Sequence, residues 1–353
     1  MSEQTAPEQD PSVRYTADRT AHDQGSAPLT PIVHEFVAAG PVDANIQNLR
    51  GDVVLRTRPG TAVRVELRPA DEAGRDLARR MRVRFDQERL TVDAPADEAQ
   101  RFGDLVMGLG RGTGTWGEKI SRGLRSAARG VTGLAGQLDL VIEVPARSRV
   151  TAHAGAGDLS VTGDLGRLEA RTGAGEIAVE RGAEEATHLT TGTGDIAVGP
   201  APGDVHATTG LGDIVLAPVT GAVRATTGTG EVVLAPVGGR IAVTTGTGGV
   251  DLAELDGEAV ITTGVGGISI RRALSGTLQA RSGLGDVTVR VAPGTAARVD
   301  LATGLGRRDV RLTPADGAGD AERTLVIEGR TAKGDLRVLR AEPEDAEPEA
   351  AGA

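Results

Sequence analysis

The chain has 353 residues, 51 glycines, no cysteine and a net charge of −10 at neutral pH. Its only aromatic residues are Tyr15, Phe36, Phe85, Phe102 and Trp116. This composition excludes disulfides, thiolate metal sites and cysteine nucleophiles, and it disfavours nucleic acid as a partner. It also leaves no ring for stacking sugars or bases between Gln137 and Arg340, so the core there must be built from small aliphatics.

Residues 1–30 are polar, hold no apolar run, and read as a disordered segment without a signal peptide. No window approaches a transmembrane length of apolar residues. The expected location is therefore cytoplasmic, at most membrane-peripheral. From residue 31 the chain turns to strand-like alternation. Val42, Ala44 and Ile46 alternate with polar residues, then come Gly51-Asp52-Val53-Val54-Leu55 and Ala62 to Leu67, which together read as one diverged repeat. Residues 82–94 and 138–152 read as further strands.

A repeat dominates from Ala154 onward. The phrase Thr-Gly-x-Gly-Asp/Glu-Ile/Val-x-Val/Leu starts at Thr172, Thr191, Thr209 and Thr227, with variants from Ala154, Thr245, Thr263 and Ser282. Its second glycines are Gly157, Gly175, Gly194, Gly212, Gly230, Gly248, Gly266 and Gly285, and they recur at a nearly constant interval. Looser copies follow at Thr303 and Lys333. Apolar residues alternate on both sides of the glycines, as in Val205-Ala207-Thr209 and Ile214-Leu216. The pattern is strand, tight Gly-x-Gly turn, strand, turn, with one buried face. A unit this short cannot bury a core alone, but identical units stacked in register can. The fold expected over 31–340 is all-β: a single-domain parallel β-solenoid (β-helix) of about 18 residues per coil. The general preference of parallel crossovers makes it right-handed. Residues 341–353 read as an acidic, disordered tail.

The GxGD[IV]x[VL] ladder and the opening GPVDANIQNLRGDVVLRTRPGTAVRVEL resemble the bacterial putative-adhesin family of β-strand repeats. That family is a domain of unknown function, similar to the head domains of autotransporter adhesins. The resemblance covers roughly 36–340, outside an insertion at 95–136. It implies a β-solenoid without an established active site.

Little else in the sequence reads as chemistry. The acids after the second glycines, Asp158, Glu176, Asp195, Asp213, Glu231 and Asp286, are placed once per repeat, and Gly249 and Gly267 interrupt them. A calcium β-roll would need acids at both turns and six to eight oxygens, so these acids read as turn carboxylates that accept backbone N–H bonds. The histidines form no metal-binding pair, and no nucleophile elbow is present. Gly112-Thr-Gly114-Thr-Trp116-Gly117 matches GxGxxG but lacks the surrounding βαβ unit of a dinucleotide site.

The insertion is the distinct segment. Residues 101–130 carry six basic groups against Asp104 and Glu118. An amphipathic basic helix is expected over about 118–134, acting as a cap on the repeats or as a contact surface. The candidate interaction residues are Phe102, Met107, Trp116, Lys119, Ile120, Arg122, Leu124, Arg125 and Arg129. The reading is a non-enzymatic structural or interaction scaffold with no cofactor, metal or small-molecule substrate, binding protein partners or copies of itself. The alternative is a peripheral module on an anionic membrane surface. A polysaccharide-active β-helix enzyme comes last.

Overall fold

In the computed structural model the described residues are 29–95, 136–312 and 323–341. The amphipathic helix expected at 118–134 lies outside them, as do all but the margins of the two tails. Over the described residues the fold is all-β: 25 strands hydrogen-bond into one large, nearly closed, barrel-like sheet, with one short helix at Glu72–Arg80.

Neighbouring repeats pair in parallel and in register. Val205 lies beside Val223 and Val223 beside Ile241, one repeat further on each time. Most regular repeats contribute a longer strand, such as Asp204–Leu211, and a short one, such as Ile214–Leu216. A third side is marked by single bridges joining Ala201, Val219, Val237 and Leu255 in turn. Inward side chains fall into columns of like residues: Ile177, Ile196, Ile214, Val232, Val250 and Ile268 are all buried. The interior is a continuous stack of Ala, Val, Ile and Leu, as the shortage of rings requires.

The corner between the two strands explains the repeated glycine. Gly230 has φ +151°, and a Cβ there would lie 1.9 Å from the carbonyl oxygen of Gly212 below it. Only a residue without a side chain allows strands one spacing apart to turn the same corner.

The two ends are built differently. At the N-terminal end, Asp43–Arg50 and Val53–Arg58 lie between Arg149–Thr162 on one side and the pair Arg89–Asp93 and Leu138–Pro145 on the other. Ala62–Pro69 does not continue that repeat as the alternation suggests; it runs antiparallel beside Leu138–Pro145, and Ile32–Val37 runs antiparallel beside it in turn. Arg82–Asp86 closes the other edge as a hairpin with Arg89–Asp93. The helix covers this end with Leu77 and Ala78 buried. At the C-terminal end the chain order is exchanged. The last strands, Arg323–Lys333 and Leu336–Arg340, insert between the repeat that ends at Val291 and the one that runs from Thr295 to Arg311.

Candidate functional site

The repeated polar residues are largely engaged by the main chain. Thr209, Thr227 and Thr263 are buried, and each hydroxyl donates to the carbonyl of the second glycine in the preceding repeat, at 2.9–3.0 Å. Asn48 takes the same role near the start, where its Nδ2 donates to the carbonyls of Gly51 and Leu138. The turn acids make the next column. Asp139 Oδ1 accepts from the Asp52 amide, Asp52 from Asp158, and Asp158 from Glu176. Asp195 accepts from Asp213 and Asp213 from Glu231, at 2.7–2.8 Å. The expected N–H-accepting role is therefore what the aspartates of the series, Asp158, Asp195, Asp213 and Asp286, perform. Burial pushes the Asp52 carboxyl up, against the lowering effect of the Asp158 amide, and the neighbouring charges of Asp139 and Asp158 add to the rise. Among the described residues no group of three or more His, Asp or Glu could hold a metal ion.

One groove on the outer face gathers other groups. Ala186, His188, Asp204, His206, Arg224 and Arg240 line it, and the rings of His188 and His206 stack at 5.6 Å. Burial lowers the pKa of His206, helped by His188 and Arg224. Arg240 forms an ion pair with Glu258 across the neighbouring strand. In the sequence these histidines form no metal-binding pair; only the register makes them neighbours.

None of the nine candidate interaction residues, Phe102 to Arg129, lies among the described residues. The segment that carries them departs after Pro95 and returns at Gly136, beside Gly74 of the helix. The amide of Ala70 donates to the carbonyl of Gln137 there. The returning end of the insertion thus emerges at the covered N-terminal end.

The surface that sequence reasoning missed is the opposite end. Val310 is 50% exposed, whereas Val338 beside it on the next strand is 1% exposed. Leu305, at the same end, is 69% exposed. The signal was present in the sequence: this repeat carries Arg307 where the others carry an acid or glycine.

No family model matches the chain, and no curated protein matches it. Solved structures do align with it. The chain is similar to putative adhesins. With the crystal structure of a "putative adhesin" from Bacteroides fragilis it shares 9% identity and a TM-score of 0.38, covering 89% of this chain and 100% of that one. A "putative cell adhesion protein" from Clostridium sporogenes gives 9% identity and a TM-score of 0.21, with 88% and 100% covered. A "putative lipid binding protein" from Parabacteroides distasonis gives 9% and 0.32, with 88% and 97% covered. At such identity no site residue carries across to this chain. No helix among the described residues is long and apolar enough to cross a membrane.

Proposed function

We propose that residues 31–340 form a single domain, a right-handed parallel β-solenoid of one repeat per coil whose N-terminal end carries antiparallel strands, acting as a non-enzymatic scaffold that binds proteins, including copies of itself. The observation that carries this reading is where the repeated polar groups go. The threonine hydroxyls and turn carboxylates hold neighbouring repeats together, so the repeat's chemistry is structural, and what it presents outward is extended strand surface and a strand edge.

The test is affinity capture from the native cell with the full chain and with a chain lacking 101–134. The scaffold reading expects reproducible protein partners for the full chain, and no capture beyond background would contradict it. The basic residues of the insertion favour a second reading, a peripheral contact with anionic lipid through Lys119, Arg122, Arg125 and Arg129, with Phe102, Met107, Trp116, Ile120 and Leu124 as the apolar side. Flotation with anionic liposomes at low salt tests it. Binding lost on changing Arg122, Arg125 and Arg129 to Glu supports the membrane contact, and no binding by the intact chain removes it.

A further inference from the structure

The two ends of the stacked strands differ in a way that points to a partner. A terminal strand leaves one row of backbone N–H and C=O groups without a sheet partner. At the N-terminal end, antiparallel strands and the helix lie over the last parallel strands, and the edges left there, Ile32–Val37 and Arg82–Asp86, lie outside the stacked repeats. At the C-terminal end, Thr295–Leu305 pairs only with Arg323–Lys333, and Arg308–Arg311 only with Leu336–Arg340, among the described residues. The inward-facing residues of this outermost repeat are left half-covered. Val299 and Leu301 are only partly buried, whereas Ile327, beside Val299 on the next strand, is fully buried.

The sequence of the open strand is complementary to itself. Two copies related by a two-fold axis would place their edge strands antiparallel. With Val299 opposite its own symmetry mate, Ala297 faces Leu301 on the inner side, a small residue against a large one. On the outer side Arg298 faces Asp300, twice over by symmetry. Both charges are exposed, and Asp300 sits beside Glu328 on the adjacent strand, a like charge with no ion pair among the described residues to offset it. An arginine from a second copy would supply that offset, while the backbone pairing would continue the sheet from one molecule to the next.

We propose that the C-terminal repeat, residues 295–311, is a self-association face on which a second copy of this chain docks, Thr295–Leu305 against Thr295–Leu305, in a two-fold dimer. This names one partner for the scaffold role and rests on that reading. Because the dimer is end to end, the outer faces of both molecules stay free for other partners.

Sedimentation velocity of the full chain across a concentration series tests the proposal, with R298D, D300R and the double variant R298D/D300R alongside. Each single change sets like charges opposite each other, and the dimer dissociation constant is expected to rise about tenfold. The double change restores opposite charges and should restore the dimer. Both exchanged positions are solvent-exposed, so circular dichroism should show the same fold throughout. A monomer at every concentration overturns the proposal, as does a dimer indifferent to the charge exchange. A chain lacking 342–353 is run as a control; dimerisation by that variant alone would mean that the tail, not a second copy, occupies the edge. A strictly monomeric chain that still captures other proteins would leave the scaffold standing and remove only this face.

Discussion

The hydroxyl of Thr227 donates to the carbonyl of Gly212 in the preceding repeat and is buried. Changing Thr227→Val keeps the branched shape that suits a strand but leaves that carbonyl without its donor. The expected cost is about 1–3 kcal/mol in urea unfolding. Thr227→Ser keeps the donor and should cost roughly 1 kcal/mol or less for one lost methyl. Equal losses for the two variants would show that the bond is not what the position needs. The acid column makes a second prediction. Asp139, Asp52, Asp158, Glu176, Asp195, Asp213 and Glu231 follow one another at single strand spacings along the stack, so their charges repel. Screening should raise the melting temperature as NaCl increases. CaCl2 at matched ionic strength, or EDTA, should add nothing; a large calcium-specific rise would reassign these residues as ligands. The histidines predict the pH response. Burial lowers the pKa of His153, helped by Arg171 and opposed by Glu169, and burial likewise lowers that of His206. A lowered pKa means the unfolded chain takes up the proton first. Stability contributed by the neutral rings is thus present above about pH 6.5 and lost as pH falls below it. The melting temperature should fall as the pH is lowered through that value, and the variant with His153→Gln and His206→Gln should show a shallower slope.

At the scale of elements, the short helix behaves as its termini dictate. Asp71 accepts from the amide of Gly74 at 2.5 Å, Glu72 lies in the first turn, and Arg79 and Arg80 lie in the last, each favourable to the helix dipole. Asp71→Ala should cost about 1 kcal/mol and loosen this end of the molecule, read as faster amide exchange over residues 72–80. Unchanged exchange there would show that packing of Leu77 and Ala78 alone holds the helix. The sequence showed those end signals, yet the buried face is only Gly74, Leu77 and Ala78, too short an apolar period to stand out in nine residues. The neighbouring hairpin was hidden for another reason. Its turn places Gln87 at φ +47° and Glu88 at φ +60°, where glycine or asparagine would ordinarily announce the reversal. The regular repeats were legible because each strand carries the same inward column, so one register satisfies all of them. The candidate groove was not, since His188 and His206 acquire meaning only once parallel pairing sets them side by side.

At the scale of the whole molecule, the chain stacks its repeats in sequence order from Arg149 until Val291 and then skips a place. The inserted segment shows why that order is favoured. Leu325, Ile327, Thr331, Leu336 and Val338 continue the buried columns, and Thr331 donates to the carbonyl of Gly285 as a regular repeat would. Asp335 accepts from the Arg307 amide, a bond that holds its carboxyl below the usual range, with Arg337 adding to the effect. Gly329 leaves room that Leu301 of the outermost repeat fills. Alternation alone could not foresee the exchange, because both repeats carry strand patterns and only their mutual fit separates them. Distances between paired spin labels test this arrangement most directly, and the absence of native cysteine allows clean labelling at introduced ones. Thr190, Thr208, Thr226, Thr244, Thr262, Arg281, Arg330 and Ala302 occupy successive outward positions along the stack. At about 4.8 Å per strand, Thr190 should lie about 24 Å from Arg281, about 29 Å from Arg330 and about 34 Å from Ala302, measured with labelled chain diluted in unlabelled. That order, with 330 nearer than 302, is the predicted result; distances that place 302 nearer than 330, or that do not grow by one strand spacing per repeat, would contradict it.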